Sequence, residues 1–171
     1  TGLLLIGGVA ALLLVAAMFV VPGRLLDAEI ARREWMAGVR ASTIEVGGQH
    51  WRYLERGPRD GDVVVLLHGL QADAGTWLDV LRHSPDTRRY IVPDLPGFGA
   101  SPTPADRDFR AAVQAERVHA LLTALQIDRV DLVGHSMGGY IAGRFAAAYP
   151  QQVRSLAFVD AAVAHHLDRV S

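Results

Sequence analysis

Cysteine is absent from the 171-residue chain, and lysine is absent too: all seventeen basic residues are arginine. Without cysteine there is no disulfide framework, no thiol nucleophile and no thiolate metal site. The missing lysine reads as coding bias rather than chemistry. Neither sign of charge dominates. Seventeen Arg against eighteen Asp and Glu leave a formal net charge of −1, which argues against an electrostatic grip on nucleic acid. No internal repeat or low-complexity tract appears. The histidines offer no pair at zinc-ligand spacing with a third ligand, so no metal is expected, and no motif asks for a cofactor.

Charge is also missing locally. Residues 2–21, GLLLIGGVAALLLVAAMFVV, carry no charged or strongly polar side chain. Twenty helical residues rise roughly 30 Å, the thickness of a bilayer's hydrocarbon core. Residues 1–22 are therefore expected to form a transmembrane signal-anchor helix. A cleaved secretory signal or a core helix is the alternative, but the run is long for a signal peptide and FVVPGR is a poor small-x-small cleavage site. Pro22-Gly23 stops the run, and residues 23–41 are expected to form a linker or interfacial helix. Leu26, Ile30 and Met36 lie roughly on one side of it, and Trp35 can act as a headgroup anchor. Arg24, Arg32, Arg33 and Arg40 favour a cytoplasmic C-terminal side, though sidedness stays open.

Residues 42–171 are long enough for one domain. Two short alternating runs flank Gly47-Gly48 and predict a β-hairpin. VVVLL (63–67) is a continuous apolar run, as in a strand covered on both faces. A helix is expected near Ala74 to Leu81, a strand at 90–94, and a long Gly- and Pro-rich loop after it. Residues 109–127 show helical apolar spacing. VDLVGH then reads as a strand, GGYIAGRFAAAYP as a helix and VRSLAFVD (153–160) as another strand. Strands alternating with helices predict an α/β fold with a mostly parallel, doubly wound sheet.

At the junction of VDLV and the small-residue helix stands Gly134-His135-Ser136-Met137-Gly138. A serine on a tight strand-to-helix turn projects its hydroxyl clear of the sheet in a strained backbone conformation. Such a turn brings the residues two before and two after it almost into contact, so a Cβ at 134 or 138 would clash. Gly139, Ala142, Gly143 and Ala146 let the helix lie close on the sheet. The helix N-terminus adds a partial positive field beside Ser136. The alternative is a glycine-rich turn holding an ordinary surface serine.

Three motifs in order, His68-Gly69-Leu70, Asp94-Leu95-Pro96-Gly97-Phe98-Gly99-Ala100-Ser101 and GHSMGG, give the chain a resemblance to the α/β-hydrolase superfamily over about residues 42–160. The resemblance implies Ser136 as nucleophile and an oxyanion hole of backbone N–H groups from Leu70 and Met137. His68, Gly69, Gly134, Gly138 and Gly139 would support the site, and Asp94 would cap its loop. The family's order is serine, acid, histidine. The usual acid and histidine follow later strands than VRSLAFVD, so the chain is expected to be the N-terminal part of the domain, truncated after about the sixth strand. Asp160, at the end of that strand, is a candidate acid, with a strand-end cap as the plainer reading. His165 and His166 would make only an improvised triad. His135 leaves the turn in another direction, and His68 is expected to brace the oxyanion loop. His119 falls on the long helix; His50 and His83 are expected on the surface.

What the resemblance implies is a membrane-anchored serine hydrolase cleaving carboxylic esters, lipid or acylglycerol esters first, similar to single-span lipases of the monoacylglycerol-lipase type. GHSMGG also resembles cofactor-free haloperoxidases (perhydrolases) and C–C bond hydrolases of ring-fission products. A serine at 136 argues against the carboxylate-nucleophile dehalogenases and epoxide hydrolases. A non-catalytic binding protein of the same fold is the reading outside enzymology.

Overall fold

The computed structural model describes residues 23–161. The expected membrane span at 2–21 lies outside the described residues. Among the described residues, no helix is long and apolar enough to cross a membrane.

Residues 23–36 are helical and are named α1 here. The helix ends because Gly38 takes φ +65°, while the Ala37, Gly38 and Val39 N–H groups bond back to the carbonyls of Arg33, Trp35 and Glu34. A left-handed glycine closing a helix in this way satisfies carbonyls that would otherwise be orphaned. Ala37 is buried, whereas Leu25, Leu26, Ile30, Trp35 and Met36 remain exposed, Trp35 at 80%.

Strand β1 (Arg40–Val46) follows and pairs antiparallel with β2 (Gln49–Arg56). The sheet thus begins two residues before the expected boundary at 42, because Arg40 is in register with Glu55 and donates to its carboxylate at 2.8 Å. Gly47 and Gly48, at φ +58° and +78°, make the two-residue turn between the strands. Both positive φ values match the twist of a hairpin, and glycine adopts them without a Cβ penalty.

The remaining strands are β3 (Val63–Leu67), β4 (Arg89–Pro93), β5 (Val130–His135) and β6 (Val153–Val159). Their order across the sheet is β1-β2-β4-β3-β5-β6. β2 pairs antiparallel with β4, and β4, β3, β5 and β6 run parallel. Between β3 and β4 lie a 3₁₀ turn (Ala74–Trp77), capped by the Asp73 side chain, and the short α2 (Leu78–Arg82). Between β4 and β5 lies α3 (Ala111–Ala124), and between β5 and β6 lies α4 (Met137–Ala148).

The five apolar residues of β3 explain the layering. Val63, Val65 and Leu67 face a core with Val118 and Leu122 of α3 and Ile141 and Phe145 of α4. Val64 and Leu66 face a second core with Trp77, Leu78 and Leu81. Alternate side chains of a strand point to opposite faces, so an unbroken apolar run needs helices on both. From β3 the chain moves outward to β4, then crosses back to β5 on the other side. A reversal of direction with right-handed crossovers puts successive helices on opposite faces and opens a crevice at the strands' C-terminal ends. That crevice lies between the ends of β3 and β5, where Leu67 is in register with Gly134.

Buried charge ties the antiparallel half to the parallel half. Glu55 is 5% exposed and accepts from Arg40 of β1 and Arg89 of β4. Burial pushes its carboxyl pKa up, but the two hydrogen bonds and the arginine charges outweigh it, leaving the group below its ordinary 4.5. A carboxylate with a lowered folded-state pKa contributes stability that is present above the unfolded pKa and lost as pH falls through the folded one. Glu55→Gln is therefore expected to cost about 2 kcal/mol at neutral pH. The gap to wild type should shrink as pH falls below about 4.5, checked by urea unfolding at a series of pH values.

Candidate active site

Ser136 sits between the last residue of β5 and the first of α4 with φ 51° and ψ −116°. A non-glycine residue held there stores on the order of 1–3 kcal/mol of backbone strain. The turn is fixed from both ends. Ser136 N–H donates to Val159 O of β6 at 2.9 Å, and Ser136 O accepts from Gly139 N at 3.0 Å and Tyr140 N at 3.2 Å. The side chain makes no capping bond to the helix, and the residue is exposed. The hydroxyl is thus available rather than consumed by the turn.

The glycines around it are spatial necessities. A Cβ at Gly134 would stand 2.3 Å from Gly138 O, which is the contact expected across the turn. A Cβ at Gly138 would meet a different neighbour: Leu67 O at 2.4 Å and His68 O at 2.5 Å. Gly138 therefore seats the start of α4 against the end of β3, a contact between elements 70 residues apart that spacing alone did not reveal. At Gly139 the obstacles are Ala161 Cβ at 2.4 Å and Gly134 O at 2.9 Å.

The loop after β3 arrives at the same place. A Cβ on Gly69 would lie 3.0 Å from His135 Nδ1 and 3.3 Å from Ser136 Cβ, so the His68-Gly69-Leu70 backbone runs directly beside the serine. The N–H groups of Leu70 and Met137 donate to no acceptor among the described residues. Met137 is the first residue of α4, where intrahelical acceptors do not exist. Leu70 projects its side chain into solvent, 65% exposed.

His68 is fully buried and both ring nitrogens are engaged. Leu95 N–H donates to Nε2 at 3.0 Å, which leaves Nδ1 to donate to Gly69 O at 2.8 Å. Burial, more than any neighbour, lowers its pKa below the ordinary 6.5, against the Gly69 carbonyl and the charges of Asp94 and Asp73, which raise it. A neutral imidazole with no free nitrogen is a strut. It joins the loop after β3 to the loop after β4.

Asp94, 1% exposed, holds that second loop. Its carboxylate accepts from Ala74 N at 2.7 Å, Ala100 N at 2.9 Å and Arg52 Nη1 at 3.2 Å. Gly99, at φ +55°, lets the backbone pass: a Cβ there would be 2.5 Å from the carboxylate. Asp94→Asn keeps the shape but puts an amide donor against amide donors. It is expected to cost about 2–3 kcal/mol, read as a lower urea midpoint at unchanged m-value.

The other sequence candidates stand apart. Asp160 follows the last residue of β6 at φ 49°, is exposed, and makes no ion pair or hydrogen bond among the described residues. His135 packs its Nδ1 against Gly69, buried and without a partner among the described residues. His83 bonds Asp79 O, and His119 stacks on Tyr149 while bonding Gln152. No histidine among the described residues hydrogen-bonds a carboxylate. His165 and His166 lie outside the described residues. Ser136 and the braced loops at His68 and Asp94 are assembled within 23–161; a histidine–carboxylate pair is not found among the described residues. The described residues also hold no cluster of three or more His, Asp or Glu able to bind a metal.

A sizeable cleft among the described residues does not open on Ser136. About 590 Å³ in volume, it lies between α1 and the loops after β3 and β4, with Ile30, Arg33, Glu34, Arg52, Asp73 and Asp94 among its walls. Sequence reasoning gave Asp94 a loop-capping role but missed Arg52, which pairs with both Asp94 and Glu34 and joins residues distant in the chain.

Known proteins share this fold. A family model described as alpha/beta hydrolase fold matches residues 62–171. Lipase 1 of Psychrobacter immobilis is 36% identical over 116 residues, covering 67% of this chain and 36% of the lipase. The 2-hydroxymuconate semialdehyde hydrolase of Pseudomonas sp. (strain CF600) is 32% identical over 137 residues, 78% of this chain and 44% of that enzyme. A crystal structure of a membrane phospholipase A, a bacterial virulence factor, superposes with a TM-score of 0.86 at 35% identity, over 95% of this chain and 53% of that one. The chain thus spans about a third to a half of the length of these relatives. With the family match covering more than half of its residues and the strand order, serine turn and facing loop in place, the chain belongs to the alpha/beta hydrolase family.

Proposed function

We propose that the protein is a membrane-anchored serine hydrolase that cleaves carboxylic esters of lipids through an acyl-enzyme on Ser136. The observation that carries this reading is the strained, exposed Ser136 at φ 51°, next to a loop and a helix start whose Leu70 and Met137 amides have no acceptor among the described residues. In the mechanism, Ser136 Oγ attacks the acyl carbonyl and gives its proton to a histidine base. The carbonyl oxygen, now negative, moves into the N–H groups of Leu70 and Met137. Collapse expels the alcohol, and water then hydrolyses the ester on the serine. Donors already aimed where the charge develops lower the barrier without reorganising, each worth about 3–4 kcal/mol. The chemistry needs no cofactor. The general base is supplied from outside residues 23–161.

The lipid assignment rests on the uncharged stretch at 2–21, on the exposed apolar residues of α1, and on similarity to a lipase and a membrane phospholipase A. An enzyme held at a bilayer meets substrates that partition into it. The relatives named as 2-hydroxymuconate semialdehyde hydrolase and 2-hydroxy-6-oxo-2,4-heptadienoate hydrolase favour a second reading, C–C bond hydrolysis in the same site. Solved neighbours also include an epoxide hydrolase and haloalkane dehalogenases, but a serine rather than a carboxylate at 136 weighs against those reactions. The test is turnover by the full-length protein of phospholipid and acylglycerol vesicles against a ring-fission diketone. Faster cleavage of the diketone would replace the ester reading with the second one.

A further inference from the structure

Glu34, on α1, is joined to the loop beside Ser136 by an unbroken run of hydrogen bonds. Its Oε1 accepts from Arg52 Nη2, and Arg52 Nη1 donates to Asp94 Oδ2 at 3.2 Å. Asp94 receives Ala74 N–H, where the segment after β3 re-enters helical structure, and Ala100 N–H of its own loop. One residue on, Leu95 N–H donates to His68 Nε2, and His68 Nδ1 donates to Gly69 O. Residues 68–74 are thus gripped at both ends, at His68 and at Ala74, and Leu70 lies between the grips.

The charges in this run are unequal. Two carboxylates, Glu34 and Asp94, share the single guanidinium of Arg52. A charge-assisted N–H···O contact normally closes to about 2.7–2.9 Å. The Arg52–Asp94 contact, at 3.2 Å, is longer, and Glu34 holds the other arm of the fork. Removing the charge of Glu34 frees Arg52 to close on Asp94, where it shares Oδ2 with the Ala100 amide and pulls the carboxylate whose Oδ1 holds the Ala74 amide. We infer that Glu34 is a positioning residue: by restraining Arg52 it sets the Asp94 contacts that hold the Leu70 loop, so the site reads the placement of α1. The inference rests on the serine-hydrolase reading for its catalytic consequence. It adds a function for the helix that directly follows the apolar stretch at 2–21, which otherwise serves only as a linker. A cleft of about 590 Å³ lies beside the bridge, walled in part by Ile30 and Arg33 of α1.

The test uses the full-length protein with Glu34→Gln, Glu34→Asp and Ser136→Ala, assayed on a soluble activated ester. Glu34→Gln is expected to lower kcat about tenfold with KM within about twofold, short of the hundredfold that a ~1 Å misplacement can cost. Glu34→Asp, which keeps the charge, should restore most of kcat, and thermal midpoints should change little. Amide exchange at Ala74 and Ala100 should quicken in Glu34→Gln. Wild-type kcat and unchanged exchange in Glu34→Gln overturn the inference while Ser136→Ala remains dead. A fall in kcat that tracks lost thermal stability, and that Glu34→Asp does not restore, overturns it as well. Turnover surviving in Ser136→Ala instead removes the serine reading, and the exchange data then judge the loop coupling alone.

Discussion

Ser136→Gly is expected to make the protein more stable and nearly inert. The backbone at 136 has φ 51° and ψ −116°, which a residue with a Cβ occupies only under strain. Glycine has no such penalty, so the substitution should add about 1–2 kcal/mol to the unfolding free energy. Ser136→Ala retains a Cβ and should stay near wild type. The comparison of the two isolates backbone strain from the lost hydroxyl. Catalysis should respond identically in both, with kcat down on the order of 10⁶-fold, as when a nucleophile is removed from an intact serine site. Labelling by a fluorophosphonate probe should vanish in both. Stability in the order glycine above alanine, with labelling absent from each, is the expected pattern. Equal labelling of wild type and Ser136→Ala would end the acyl-enzyme reading. Equal stability of the two variants would mean that the turn is not strained in solution.

The strained turn was legible in sequence because it is local. Gly134, Ser136 and Gly138 lie within five residues, and steric exclusion across so tight a turn follows from their spacing. The layering was legible for a similar reason. Val63–Leu67 has no polar residue to turn outward, so both faces had to be covered, and they are. Element ends were less visible. The long helix expected from 109 begins at Ala111, because Phe109 leaves the helical register to pack its ring over Gly97, where a Cβ would meet it at 2.4 Å. Nothing in the local spacing of apolar residues distinguishes a side chain that packs inward on a helix from one that closes a loop. The bridge from Glu34 through Arg52 to Asp94 was invisible because it depends on three elements meeting in space. Each residue alone reads as an ordinary surface charge or a loop cap. Gly138 falls between these cases. Its presence was expected, but the obstacle it avoids, the end of β3, belongs to the tertiary fold.

That obstacle makes Gly138→Ala the sharpest test of how the site is built. The added methyl would stand 2.4 Å from Leu67 O and 2.5 Å from His68 O, both backbone atoms of a strand end packed in the sheet. Neither carbonyl can swing away without breaking the parallel β3–β5 pairing beside it, where Leu67 faces Gly134. The helix must yield instead, and its first turn should lift from the loop after β3. Overpacking of this severity is expected to cost at least about 3 kcal/mol, a fall of roughly 6–12 °C in Tm for a chain of this size. Gly48→Ala is the control for crowding. It places alanine at a positive φ, +78°, in a turn rather than in a helix, and nothing lies within 4 Å of the new methyl. It should cost only the backbone strain, about 1 kcal/mol, and leave turnover intact. In Gly138→Ala the lifted turn carries Met137 N–H away from Leu70 N–H, so the loss of kcat should exceed what a fully folded fraction would explain. If Gly138→Ala were as stable and as active as Gly48→Ala, α4 would not be seated on β3.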